Sequence, residues 1–344
     1  MTRLLPARLA AAAVAGALLL PAYPAAAAEP VTLDNFKRVE SDLYFAKFVR
    51  AAPPGEFSHA RAPAAIDAQD VIRMNRDTLY SSAVLDLAAG PATVTLPDAG
   101  ARFMSMQVID EDHYTPMVIY EPGEHRFTQE QIGTRYVLML VRTFVDPNDP
   151  ADLDAVHALQ DAMTIEQGPG ATFEIPDWDV ERAAALRKAL NDLSAASGGL
   201  DSARMFGARD EVDPVQHLIG AAAGWGGNPA RDALYVGVVP EKNDGETVYE
   251  MSVGEVPVDG FWSISVYDAD GFFARNDLER YSLNNVTAAR EADGSVKVRF
   301  GGCTAERANC LPITPGWSYV VRLYRPHAEI LEGAWTFPEA TPAQ

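Results

Sequence analysis

The chain of 344 residues carries 48 acidic and 28 basic side chains, a formal charge of −20 at pH 7. A surface this acidic repels phosphate backbones and anionic head groups, which disfavours nucleic acid and acidic lipid as partners. The length is enough for two domains, and the acidity otherwise serves solubility.

The first residues, MTRLLPARL, hold Arg3 and Arg8 and no acid, and the apolar stretch AAAAVAGALLLPA follows, ahead of the small residues Ala26 and Ala28. That order describes an export signal cut between Ala28 and Glu29. An uncleaved anchor fits less well, because the apolar run is short for a bilayer and Pro21 and Pro24 interrupt it. Cleavage would leave 316 residues and, since only Arg3 and Arg8 leave, a charge of −22. No later stretch has spanning length, so the expectation is a periplasmic or secreted protein without an integral membrane segment after processing.

Beyond Glu29, LDNFKRVESDLYFAKFV reads as a short amphipathic helix. From Asp70 to Asp146 the pattern is extended: GPATVTLP, RFMSMQVID, TPMVIY and RYVLMLVRTFV, separated by turns such as Pro97-Asp98-Ala99-Gly100. Alternation in RFMSMQVID predicts one buried face, and the continuous apolar run RYVLMLVRTFV predicts a central strand covered on both sides. After Pro147, DPADLDAVHALQDAM and WDVERAAALRKALNDL repeat apolar residues at three- and four-residue steps, which predicts helices, the second ended by Gly198-Gly199. A third helix is expected from Asp213-Pro214, an N-cap followed by proline at the first helical position. The Gly-rich WGGNP then reads as a linker. From Ala233 strands return in ALYVGVVP, VYEMSV, FWSISVYD, VKVRF and WSYVVRLY, with turn signals at Asn243-Asp244-Gly245 and Asp293-Gly294.

The resulting expectation is a mainly β protein divided into a signal peptide at 1–28, a compact N-terminal β domain at 29–147, a helical segment at 148–232 and a C-terminal β-sandwich or jelly roll at 233–344. The only cysteines, Cys303 and Cys310 in GGCTAERANC, lie too far apart for a Cys-x-x-Cys motif and lack a nearby histidine for zinc, so outside the cytoplasm they are expected to pair.

Two regions resemble known families. DVIRMNRDTLYSSAVLDL with RFMSMQVIDEDHYTPMVIY is similar to the domain of unknown function 1254. VDGFWSISVYDADGFF, YSLNN and LPITPGWSYVVRLYRPHAEILEGAWTFPEA are similar to the domain of unknown function 1214. The resemblance implies a tandem of the exported bacterial type, with an immunoglobulin-like N-terminal sandwich, a small helical portion and a C-terminal jelly roll. It implies no reaction and no catalytic residues.

Candidate chemistry must therefore come from the residues. Asn75, Arg76 and Tyr80 stand before an apolar run, where an amide, a guanidinium fork and a phenol suit a polyol or carboxylate ligand, with Asp77 as an acceptor among them. The structural alternative is that Arg76 and Asp77 pair or fix a loop and that Tyr80 is an interior aromatic. His113, in DEDHY, is the best placed histidine for general-base work, against the alternative of a solvated acidic turn. Glu121, Glu124 and His125 form a weaker acidic turn. Arg142, inside VLMLVRTFV, needs a buried partner, either a carboxylate such as Asp77 or a ligand. Asp77, His113 and Arg142 are thus the candidate catalytic residues, and Asn75, Arg76 and Tyr80 the candidate ligand-binding ones.

Trp262, Tyr267, Tyr281, Asn284, Asn285, Arg322, Tyr324 and Arg325 offer aromatic and amide surfaces suited to sugars, although Trp262 and Trp317 also read as core. Asp268, Asp270 and Gly271 look like a calcium loop, but Val266 would stand where a carboxylate is required, so no metal is expected. Motifs for serine hydrolases, zinc peptidases and nucleotide enzymes are absent, and no cofactor is expected. The chemistry left open is recognition of a small polar or carbohydrate-like ligand, with hydrolysis or rearrangement of it. The alternative is a non-catalytic envelope module for self-association as a homo-oligomer or for binding another protein.

Overall fold

A computed structural model describes residues 28–69, 72–197 and 201–343. The basic and apolar parts of the expected export signal, residues 1–27, and the Gly198-Gly199 helix stop lie outside the described residues.

The fold is mainly β, with antiparallel sheets predominating, as the strand pattern predicts. In chain order the elements are α1 (Phe36–Ala51), β1 (Ser58–His59), β2 (Thr78–Asp86), β3 (Ala92–Leu96), β4 (Met104–Asp110), β5 (Met117–Ile119), β6 (Gly123–Phe127), α2 (Gln129–Ile132), β7 (Tyr136–Phe144), α3 (Pro150–Asp161), β8 (Thr164–Gln167), α4 (Val180–Ala196) and α5 (Pro214–Ala223). There follow β9 (Ala233–Val238), β10 (Tyr249–Val253), β11 (Trp262–Tyr267), β12 (Ser282–Asn284), β13 (Val296–Phe300), β14 (Cys310–Leu311), β15 (Ser318–Tyr324), α6 (Ala328–Leu331) and β16 (Thr341–Pro342).

One sheet has the order β1-β2-β7-β4-β5, and a smaller one the order β6-β3-β8. They share a core in which Leu85, Met106, Val108, Val137, Met139 and Val141 meet Val94, Leu96 and Phe127. β7 lies between β2 and β4 and is buried along its whole length, which is why its sequence runs apolar without alternation. Its second face is covered by Phe45 of α1, with Phe173 and Trp225 beside it. β8 interrupts the helical stretch and pairs with β3; its alternating exposure and polar sequence TIEQ carry little apolar signal.

Aspartates cap three of the helices, α5 at the Asp213 expected from sequence. Asp149 accepts from Ala151 N and Asp213 from Val215 and Gln216 N, each with proline next in the chain, and Asp179 accepts from Arg182 N. α1, α4 and α5 join around Phe36, Val39, Ala183, Leu190 and Ile219. One ionic tie and one hydrogen bond cross this bundle: Arg187 forks onto buried Glu40 at 2.9 and 2.7 Å, and Trp178 Nε1 donates to Asp42 at 2.8 Å.

The last strands form two four-stranded sheets, β14-β13-β10-β16 and β12-β11-β15-β9, around a core containing Trp262, Ile264, Val298, Phe300, Trp317, Val321 and Leu323. Period two decides which side chains face away from that core. Along β11 they are Ser263, Ser265 and Tyr267; along β15 they are Val320, Arg322 and Tyr324. This second face turns toward the N-terminal sheet, and Phe144, Phe261, Tyr324 and Phe103 close the junction.

Cys303 and Cys310 form the expected disulfide. Closing so short a loop restricts the unfolded chain by roughly 2–3 kcal/mol. A Cys303→Ala/Cys310→Ala variant, or the reduced protein, should therefore unfold at lower urea with unchanged cooperativity. An unaltered midpoint would show that the bridge does not constrain the unfolded state.

Candidate functional site

Strand register builds two polar rows that face each other across the junction. On the N-terminal sheet Tyr80 lies directly opposite Arg142, and Arg142 opposite Ser105. On the C-terminal sheet Tyr235 lies opposite Arg322, Arg322 opposite Ser263, and Ser263 opposite Asn284.

Arg142 is 6% exposed, and its partners are neutral. It donates to Gln107 Oε1 at 2.7 Å, to the Gly226 carbonyl at 3.2 Å and to Asn228 Oδ1 at 3.4 Å, while its guanidinium carbon lies 5.4 Å from the centre of the Tyr80 ring. Burial works against its charge, but the phenols of Tyr80, Tyr235 and Tyr324 outweigh burial and hold the group protonated. The WGGNP segment joins the two regions and also forms one wall of the site. Gly226 has φ of 80°, a left-handed conformation that glycine adopts without strain, and Gly227 is pressed so close to Phe206 that a Cβ would fall 2.3 Å from its ring.

Three phenols converge on the same region. Asn75 Nδ2 donates to Tyr324 Oη at 3.1 Å and to Tyr80 Oη at 3.3 Å, and Asn228 Nδ2 donates to Tyr235 Oη at 3.0 Å. The Asn75 amide is oriented by its own Oδ1, which accepts from Asp77 N at 2.9 Å. Among the described residues no protein acceptor takes the hydroxyl hydrogen of Tyr80, Tyr235 or Tyr324. Tyr80, Tyr235 and Asn75 remain partly exposed. Burial alone pushes the Tyr80 phenol up, but Arg142, the Asn75 amide and Arg322 together hold it below the usual phenol range. Tyr324 is held well above that range, first by burial and then by Tyr235 and Tyr80.

The structure thus brings Asn75, Tyr80 and Arg142 together and places the other three predicted residues apart. Arg76 donates to the Ala64 carbonyl and lies 5.3 Å from the Tyr281 ring centre, so it fixes a loop. Asp77 turns toward the C-terminal sheet, where Asn284 Nδ2 reaches its Oδ1 at 3.5 Å and its Oδ2 has no protein partner. Burial pushes its carboxyl up, opposed by Arg322.

His113 lies behind the Gly226 backbone. Gly226 N donates to its Nε2 at 2.8 Å, while the opposite end of that residue accepts from Arg142. The imidazole stacks between His217 and Trp225, each at 5.3 Å, and burial holds it neutral, well below its ordinary range. The acidic turn around it is buried too: Asp110 Oδ1 accepts from Asp112 N and Tyr114 N, and Glu111 accepts from Tyr136 N. Gln107, Asn228 and Tyr235 are site residues that sequence reasoning missed; an Asn inside a Gly-rich stretch was the one local signal.

Arg322 has the other buried guanidinium of the junction. It donates to Ser265 Oγ at 2.8 Å, to Tyr267 Oη at 2.7 Å and to the Arg73 carbonyl at 2.9 Å. Tyr324 stacks on Phe261 at 4.2 Å, and on the far side of that aromatic wall a cleft of about 460 Å³ is lined by Arg102, Tyr120, Phe261 and Arg325, among others. Among the described residues no group of three or more His, Cys, Asp or Glu side chains could hold a metal, and no helix is long and apolar enough to cross a membrane.

Buried carboxyls give the protein a distinct pH response. Burial raises Asp42 and Asp110 to about 7, and it also raises Glu40, Asp77 and Asp232. The folded state therefore binds these protons more tightly than the unfolded chain, and their contribution is lost as pH rises through about 7. His217, lowered to about 4 by burial, acts in the opposite sense, as do His113 and His59, also lowered by burial; their contribution is lost as pH falls below about 6.5. The raised carboxyls outnumber these imidazoles, and acid also relieves the net charge of −20. Thermal scans should show a higher Tm at pH 5.5 than at pH 8, and Asp42→Asn should flatten that slope. A Tm that rises from pH 5.5 to 8 contradicts this assignment.

Comparison with known proteins places the site across two family segments. Residues 54–120 match a protein of unknown function (DUF1254), and residues 239–328 match a protein of unknown function (DUF1214). Asn75, Tyr80 and Gln107 fall in the first segment and Arg322 and Tyr324 in the second, while Arg142, Asn228 and Tyr235 lie between the two. No curated protein matches the chain. Among solved structures, the VPA0106 protein from Vibrio parahaemolyticus is similar at 19% identity with a TM-score of 0.68, covering 90% of this chain and 98% of that one. An uncharacterised protein from Burkholderia cenocepacia is similar at 14% identity with a TM-score of 0.50, covering 90% and 87%. These likenesses concern the fold.

Proposed function

From the premise that the chain carries the DUF1254–DUF1214 tandem, we propose that it binds a small, polar, negatively charged ligand where the two segments meet. The observation that carries this reading is the Arg142 surroundings: a buried guanidinium with only neutral protein partners, facing three phenols whose hydroxyl hydrogens have no protein acceptor. A buried cation without a counterion is costly, and phenol donors turned toward it suit an anion bearing further oxygens. The amides of Asn75 and Asn228 and the rings of Tyr80 and Tyr235 suit a carbohydrate-like body.

This function belongs outside the cytoplasm, in the periplasm or medium. The support is the Cys303–Cys310 bridge, which is at home in an oxidising compartment, together with the basic-then-apolar order of residues 1–28.

A thermal-shift screen of hydroxy acids, acidic sugars, neutral sugars and polyols tests the reading. A ligand at 100 times its Kd should add about 2.7 kcal/mol to stability. An acidic compound that raises Tm supports the site, and a screen in which none does overturns it.

A further inference from the structure

The two phenols that share the Asn75 amide are placed as an acid–base pair. One nitrogen lies 3.3 Å from Tyr80 Oη and 3.1 Å from Tyr324 Oη, so the two oxygens, one from each sheet, lie close together. Arg142 occupies the position opposite Tyr80 in the strand ladder, where it would hold the carboxylate of the ligand proposed above. A carbon next to that carboxylate would then lie beside Tyr80.

Resting on that ligand reading, we infer that the protein catalyses β-elimination on an acidic sugar, a polyhydroxy carboxylate with an oxygen substituent on the β-carbon. Tyr80, neutral in the free protein and a phenolate in the reacting complex once its own proton has passed to water, takes the hydrogen from the carbon next to the carboxylate, and the C–H pair moves into the carboxylate to give an enediolate facing Arg142. That pair then forms the Cα=Cβ double bond as the Cβ–O bond breaks. The departing oxygen takes the bond pair and receives the Tyr324 hydroxyl hydrogen. Tyr80 leaves the cycle protonated and Tyr324 deprotonated, and exchange with water restores both. The atoms and electrons balance without an oxidant, a metal or a second substrate. Arg142 stabilises the charge that develops on the carboxylate oxygens, where a preorganised donor acts most strongly.

The contrast between the two phenols agrees with this division of labour. Tyr80 lies opposite Arg142, whose charge favours a phenolate, and suits the base; Tyr324, buried and stacked on Phe261, keeps its proton and suits the acid. The remaining side chains of the row suit positioning. Tyr235 is held by Asn228, whose Oδ1 accepts from Arg142.

The experiment supplies oligomers of galacturonate, of glucuronate and of mannuronate to the full-length protein. It follows the ultraviolet absorbance of the conjugated product and, by NMR in D2O, deuterium entering the carbon next to the carboxylate. The expected result is product from at least one oligomer. Tyr80→Phe should lower the rate by at least about 100-fold with a ligand-induced rise in Tm that is smaller but still measurable, and Tyr324→Phe should slow elimination more than deuterium exchange. The wild-type rate should also rise with pH as Tyr80 deprotonates. Circular dichroism and the Tm of each unliganded variant separate loss of chemistry from loss of fold. Binding of acidic oligomers without product or exchange, or wild-type turnover by Tyr80→Phe, overturns the elimination reading and leaves the binding site standing. Binding of neutral sugars alone overturns the carboxylate assignment, and binding of nothing overturns both.

Discussion

Replacing Trp317 with alanine should cost about 3–5 kcal/mol, a large share of the roughly 5–15 kcal/mol that holds an ordinary domain folded. The ring is fully buried, 5.3 Å from Phe300 and 5.7 Å from Tyr249, centre to centre, and it abuts the start of β15. Its removal opens a cavity between the two C-terminal sheets that neighbouring aromatics cannot fill without leaving their own contacts. β15 also carries Arg322 and Tyr324 on its opposite face, so the loss should reach the site as well as the core. Urea unfolding followed by circular dichroism should show a much lower midpoint for Trp317→Ala and a smaller decrease for Trp317→Phe. Equal midpoints for wild type and Trp317→Ala would remove Trp317 from the core argument.

Trp317 also illustrates how far local pattern reaches. WSYVVRLY alternates, and alternation alone separates Tyr319, Val321 and Leu323 from Arg322 and Tyr324. The uninterrupted run in β7 likewise announced a strand covered on both sides, and the Asp213-Pro214 pair announced a helix start. Arg142 was conspicuous for the same reason, as a charge within an apolar run. What local pattern does not contain is register. Tyr80 meets Arg142 through an antiparallel ladder, and Tyr235 meets Arg322 through another; both pairings join residues far apart in the chain. Sequence reasoning offered Asp77 as the counterion for Arg142, but the side chains that reach it are Gln107 and Asn228. Neither has a charge or a periodicity to mark it. His113 was prominent for its type, yet its position is decided by Gly226, whose amide occupies the imidazole nitrogen and whose carbonyl serves Arg142. The polar strand β8 escaped notice because it has too few apolar residues to display a period.

Arg142→Met should abolish ligand binding and lower the stability of the unliganded protein by a few kcal/mol at most. Two effects oppose each other in the free protein. Replacing a buried charge by an apolar side chain of similar length is often neutral or stabilising by 1–4 kcal/mol, because the ion is no longer desolvated. Against this, Gln107 Oε1, Asn228 Oδ1 and the Gly226 carbonyl lose a donor, at roughly 1–3 kcal/mol for each acceptor left unsatisfied. Partial repair is available to Asn228, which already engages Tyr235 through its amide nitrogen. The liganded state has no such compensation: an anion brought into the junction would meet no cation at that position, a loss of at least about 100-fold in affinity. Arg142→Lys should fall between the two, since it keeps the charge but one ammonium cannot reproduce the planar fork that spans Gln107 and Gly226. Calorimetric titration with the acidic compound found by thermal shift measures the first effect, and urea unfolding without ligand measures the second. If Arg142→Met instead lowers the unfolding midpoint severely and Arg142→Lys restores it, then Arg142 holds the two sheets together and the buried charge is structural.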